Sequence, residues 1–123
     1  MSHSSRALGV EGENRAARHL ERHGWRILAR NTRAAGVEID LVAMRAGVLA
    51  FVEVKTRRSR AAGAPEEAVD ARKQARLVRG ATGWLREHHV RTRRLRFDVI
   101  VCELDAQGGW RLRHLEGAFD ANP

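Results

Sequence analysis

Tyrosine is absent from this chain, cysteine occurs once, and only Lys55 and Lys73 among its 23 basic residues are lysines. A lone cysteine, Cys102, excludes an internal disulfide, and its place in the apolar run Phe97 to Leu104 predicts a core thiol. The six histidines show no zinc-ligand spacing with it. His88 and His89 instead read as groups that cap or solvate a helix end. With no Tyr, three Phe and three Trp, no RNA-recognition aromatic motif is present. No stretch approaches the ~20 consecutive apolar residues of a membrane-spanning helix. Met1 to Arg6 is polar and lacks the hydrophobic region of a signal peptide, so a cytoplasmic protein is expected.

Acidic residues are also scarce, 15 against 23 basic ones, which leaves a formal charge of +8 and a pI near 11.4. That balance favours a polyanionic partner, because each neutralised phosphate releases counterions. Nucleic acid is the first candidate. An acidic membrane surface would need a strongly basic amphipathic helix with exposed bulky apolar residues, and none is evident. At 123 residues and 43% apolar content, the chain suits one domain over residues 1–123, with 1–7 and 120–123 as flexible ends. Its small size leaves room for a homodimer.

Against this background the segment from Val37 to Lys55 stands out. Two β-branched apolar runs, Val37 to Met44 and Val48 to Lys55, carry Glu38, Asp40, Glu53 and Lys55. Arg45-Ala46-Gly47 between them supplies a hairpin turn. With Ala46 and Gly47 as a two-residue turn, Asp40 falls opposite Glu53 and Glu38 opposite Lys55. Strict alternation then puts Val42, Leu49 and Phe51 beside the charges, and Val37, Ile39, Leu41, Val48, Val52 and Val54 on the other face. Two apposed carboxylates in apolar surroundings call for a cation or a shared proton. Mg²⁺ or Mn²⁺ suits hard oxygen ligands. The alternative is an ion-pair cluster in which Lys55 neutralises a carboxylate. Retention of lysine at 55, in a chain that otherwise uses arginine, fits a compact ammonium acting on water or phosphate.

A third carboxylate lies on the first helix, where Ala16, Ala17 and Leu20 follow Glu13 by three, four and seven residues. That spacing turns Glu13 toward the core and sends Arg15, Arg18, Glu21 and Arg22 largely to solvent. The bland alternative is a first-turn acid favoured by the helix dipole.

Gly12-Glu13, Glu38-Ile39-Asp40-Leu41-Val42, Phe51 to Arg57, Pro65 to Val69, Arg72-Lys73-Gln74 and Arg96-Phe97-Asp98-Val99, in that order, resemble the bacterial YraN family. The resemblance runs from about Leu8 to Phe119. That family is regarded as endonuclease-like and is similar to archaeal Holliday-junction resolvases of the PD-(D/E)XK superfamily. The resemblance implies a metal-binding Asp40 and Glu53, a water-positioning Lys55 and a helix-borne Glu13. By analogy, the Val54 carbonyl completes the coordination shell. Glu38 and Gln74 fit the family pattern as accessory positions. One departure is Val37, which stands between Gly36 and Glu38 where family members commonly place Gly directly before the Glu.

The remaining elements read as a first strand over Trp25 to Asn31, a mobile loop over Thr56 to Pro65, and a helix over Glu66 to His88. Strands over Leu95 to Leu104 and Gly109 to Leu115 follow. Gly80 and Gly83 are expected to weaken the second helix. Helix, three strands, helix and two strands predict an α/β fold with a mixed sheet of about five strands flanked by helices. The resemblance implies a restriction-endonuclease-like core. Arg57, Arg58 and Arg60 in the loop, with Arg72, Lys73 and Arg76 on the helix, are the candidate nucleic-acid contacts, and Arg79 and Arg86 extend the basic stripe. The expected activity is metal-dependent hydrolysis of DNA phosphodiesters at branched or distorted sites. The alternative is a nucleic-acid-binding module without turnover in isolation, with an RNA or protein assembly factor in reserve.

Overall fold

Ala46 and Gly47 both take positive φ, +50° and +80°, and reverse the chain between strands β2 (Val37–Arg45) and β3 (Val48–Arg58). Positive φ at both central residues is the two-residue turn whose twist matches antiparallel strands. The resulting register pairs Arg45 with Val48 and Leu41 with Val52, as the two-residue turn predicts. The computed structural model describes residues 4–59 and 70–119. The other elements are α1 (Ser5–Arg22), β1 (Arg26–Ala34), α2 (Ala71–His88), β4 (Arg94–Leu104) and β5 (Trp110–Phe119).

The five strands lie in the order β1-β2-β3-β4-β5, which makes an α/β fold with one mixed sheet, consistent with a restriction-endonuclease-like core. Only β3 and β4 run parallel, and the connection between them contains α2. Each helix covers one face. Ala16, Ala17 and Leu20 of α1 pack on Leu41, Ala43, Ala50, Val52 and Ile100. Leu77, Ala81 and Trp84 of α2 pack on Val42, Leu49, Phe51, Phe97 and Val99. No described helix is long and apolar enough to cross a membrane.

Two close approaches fix the helices. A Cβ at Gly12 would lie 2.0 Å from Thr56 Oγ1, so only glycine lets α1 sit this near β3. A Cβ at Gly80 would lie 3.1 Å from Val37 Cβ, so this glycine, expected only to weaken α2, also seats it on β2.

Three expectations need correction. Val37 and Ile39 do not share a face with Leu41, because they lie against α2 while Leu41 packs under α1. The alternation shifts at Asp40, where the β2–β3 ladder stops. Thr56, Arg57 and Arg58 are not loop residues, since β3 stays paired to β4 as far as Arg58 opposite Leu104. β5 continues to Phe119, beyond the Leu115 expected. The described part of the second helix starts at Ala71, capped by the Asp70 side chain, which accepts the Lys73 N–H at 2.9 Å. Arg60, Pro65 and the Glu66 to Val69 part of that expected helix lie outside the described residues.

Candidate active site

Beyond Val52, β3 keeps β4 on one side and loses β2 on the other. Asp40 takes over there, since its Oδ2 accepts the Val54 main-chain N–H at 2.8 Å. A side chain thus replaces a ladder partner and holds the two strands together where they part. Burial first, then the charges of Glu53, Glu13 and Glu38, against an opposing Val54 hydrogen bond, together raise the Asp40 carboxyl to about 7. Three of the residues singled out in the sequence therefore act electrostatically on a fourth.

The three are not equivalent. Glu53 exerts the largest charge effect on Asp40. Its Oε2 also lies 2.8 Å from Lys73 Nζ, which brings the first turn of α2 into the site. Alternation along β3 puts Lys55 on the same face as Glu53, and Lys55 is exposed. Glu13 is half-buried on α1, which covers the opposite face of the sheet. Glu38 is exposed and sits cross-strand from Arg33 rather than from Lys55.

The expected nucleic-acid contacts divide in the same way. Arg57 Nε bonds Glu103 Oε2 at 2.9 Å in an ion pair whose side chains are only 13% and 17% exposed. That pair ties β3 to β4. Lys73 is committed to Glu53, whereas Arg72 and Arg76 are exposed on α2 and Arg58 is exposed on β3. Gln74 is half-buried on α2, its main-chain N–H bonded to the Asp70 carbonyl at 2.9 Å.

Sequence reasoning missed the Lys73–Glu53 contact, although Lys73 was already marked as one of two lysines. It named Asp98 only within the Arg96-Phe97-Asp98-Val99 segment and gave no role to this residue, the one charged residue in the buried core among the described residues. Arg96 holds both Asp98 oxygens at 2.9 Å, His114 Nε2 lies 2.7 Å from Oδ2, and the Gly117 N–H donates to Oδ1 at 3.0 Å. The available signal was a carboxylate inside an apolar strand, two residues from an arginine.

Residues 12–102 match the model of a family described as "Uncharacterised protein family UPF0102". The chain belongs to the UPF0102, or YraN, family. A UPF0102 protein of Symbiobacterium thermophilum is 48% identical over 117 residues, which cover 95% of this chain and 99% of that protein. One of Trichlorobacter lovleyi is 44% identical over 117 residues, covering 94% and 92%. One of Parafrankia is 46% identical over 115 residues, covering 94% and 98%. The UPF0102 match begins at Gly12 and ends at Cys102, so it spans Glu13, Asp40, Glu53, Lys55 and Lys73.

Among the described residues, no three His, Cys, Asp or Glu side chains converge closely enough to hold a metal. Asp40 and Glu53 fit the looser demand of Mg²⁺ or Mn²⁺, which bind through one or two carboxylates and leave other positions to water and substrate phosphate. The Val54 carbonyl lies beside them in the chain. Glu13, reaching Asp40 from α1, suits a place beyond the direct ligands.

Proposed function

We propose that this protein is a metal-dependent endonuclease that hydrolyses DNA phosphodiesters at branched or distorted sites. The observation that carries the reading is the junction of Asp40 with Val54, next to Glu53, at the point where β2 leaves β3. Asp40 and Glu53 would hold Mg²⁺ or Mn²⁺, joined by the Val54 carbonyl. The bound ion would polarise the scissile phosphate and lower the pKa of a water. Asp40 would hold the ion as a carboxylate, so a cation there would favour its ionised form. The exposed Lys55 ammonium reaches outward to a non-bridging phosphate oxygen or to the attacking water and stabilises developing charge. Arg72 and Arg76, exposed on α2 near Lys73, supply phosphate contacts. Net charge of +8 supports a polyanionic substrate.

The Lys73–Glu53 ion pair favours a second reading, a nucleic-acid-binding module whose carboxylates are already neutralised. Fold alone does not separate the two. Cleavage of labelled junction, flap, single-stranded and duplex DNAs with Mg²⁺ or Mn²⁺ does, comparing wild type with Asp40→Asn purified identically. Metal-dependent cutting by wild type alone is expected. Equal cutting by both proteins, or none with binding intact, sinks the endonuclease reading. Lys55→Ala should lose rate while retaining most DNA affinity.

A further inference from the structure

A cleft of about 250 Å³ opens on the far flank of α1, between that helix and the edge strand β5. α1 packs chiefly over β3, so the outer part of the sheet on this face is only partly covered. Trp110, Leu112 and Cys102 line the cleft from the sheet, and Arg15, Arg18 and Arg22 line it from the helix. These arginines follow one another at three and four residues and so form one stripe. At about 1.5 Å per residue the stripe is ~10 Å long.

Charge and shape agree here. Glu11 is the only carboxylate paired with the stripe among the described residues, 2.7 Å from Arg15 and 3.6 Å from Arg18. Arg22 forms no ion pair among the described residues. The Arg15 guanidinium lies over the Trp110 ring at 4.9 Å, which makes a flat cationic platform beside an apolar floor. Arg111 borders the cleft but pairs across the ladder with Glu103, which assigns its side chain to the other face. His19 also lines the cleft, with Nε2 3.2 Å from His114 Nδ1. Burial, followed by its neighbours His23, His114 and Arg22, holds His19 below its usual value, so it adds a hydrogen-bonding group rather than a charge.

A bare anion needs only the guanidiniums. A planar aromatic platform next to a basic stripe is what proteins use to hold an unstacked base together with its phosphate. We propose that the cleft between α1 and β5 binds a phosphorylated nucleotide, with the phosphate on Arg18 and Arg22 and the base against Trp110 and Leu112. The nucleotide comes either free or as one unit of a single strand. This site is separate from the Asp40–Glu53 pair and stands whether or not that pair cuts DNA.

The three tryptophans supply the test. In ¹⁵N-labelled protein, the indole N–H signals of Trp25, Trp84 and Trp110 are followed during titration with thymidine 5′-monophosphate, hexathymidylate and inorganic phosphate. Both nucleotide ligands should move the Trp110 signal and leave that of buried Trp84 in place. Arg18→Gln/Arg22→Gln should weaken nucleotide binding about tenfold or more, and Trp110→Leu should weaken the nucleotides but not phosphate. Should the double variant lose its native spectrum, Arg18→Gln alone carries the test. Asp40→Asn should bind as wild type does. Tighter binding of the monophosphate identifies a free nucleotide, and tighter binding of the hexamer identifies a strand. A Trp110 signal unmoved by both, or phosphate binding as tightly as either, overturns the proposal.

Discussion

Lys73 Nζ lies 2.8 Å from Glu53 Oε2, so the first turn of α2 neutralises the carboxylate that acts most strongly on Asp40. A cation in a helix's first turn opposes the macrodipole. The pairing with Glu53, and the Asp70 cap on the Lys73 N–H, explain why it is tolerated there. Any divalent cation at Glu53 must compete with this ammonium. A partly exposed ion pair contributes up to about 1 kcal/mol, so Lys73→Gln should tighten Mn²⁺ binding by up to about fivefold. Water-proton relaxation during a Mn²⁺ titration measures it. Weaker binding in the variant would instead make Lys73 part of what organises the site.

Asp40 gives the pH dependence a definite sign. Its folded pKa of about 7 lies well above the ~3.9 of an unfolded aspartate. Between those values the native protein keeps a proton that the unfolded chain has released. The associated stability is therefore full below about pH 4, falls as pH rises toward 7, and is level above that. Asp40→Asn retains an acceptor for the Val54 N–H and removes the ionisation. In urea denaturation without metal, the variant's advantage over wild type should grow from pH 4 to 7 and then hold. Mg²⁺ should narrow the gap at pH 8 by favouring ionised Asp40. A gap constant over the whole range would mean that Asp40 ionises as an ordinary surface acid.

The hairpin was legible because its information is local: Ala46-Gly47 fixes the turn, and the turn fixes which residues face each other. The expected pairing of Asp40 with Glu53 did not follow, because the ladder ends at Leu41 and Val52, and Asp40 meets β3 through the Val54 N–H while Glu53 acts on it by charge. The loss of alternation at Asp40 was not legible, because it arises from α2 drawing Val37 and Ile39 to its own face, a long-range packing effect. Arg57 looked like a loop cation because Gly, Ser and Ala follow it closely. Pairing of β3 with β4 extends the strand through it, and Glu103 lies 46 positions away. Glu13 is half-buried on α1, in keeping with its helical spacing, and its charge acts on Asp40. Its separation from a common ligand set depends on which face α1 covers, and one helix's periodicity does not carry that.

Asp98 shows how a buried acid can be structural beside one proposed to be chemical. Burial acts to raise its pKa, but hydrogen bonds from His114, Arg96 and the Gly117 N–H outweigh burial and hold the carboxyl below the usual range. Arg96 in turn lies over the Trp25 ring at 5.1 Å, so the network joins β4, β5 and the α1-side core. Removing the acid leaves a guanidinium, only 14% exposed, without its main partner. Asp98→Ala should therefore cost about 3–5 kcal/mol, the usual loss when one partner of a buried pair is deleted. Asp98→Asn should cost less, because the amide oxygen can still accept a hydrogen bond. The pH dependence is opposite to that of Asp40. Stability from Asp98 is present above the ~3.9 of the unfolded residue and is lost as pH falls through the lower folded value. Acid denaturation of Asp98→Asn and Asp40→Asn alongside wild type separates the two carboxylates. Asp98→Asn should lose the acid-side decline, and Asp40→Asn should lose the decline between pH 4 and 7. A loss below about 1 kcal/mol for Asp98→Ala would show that Arg96 finds Glu116, 3.9 Å away, as a sufficient substitute.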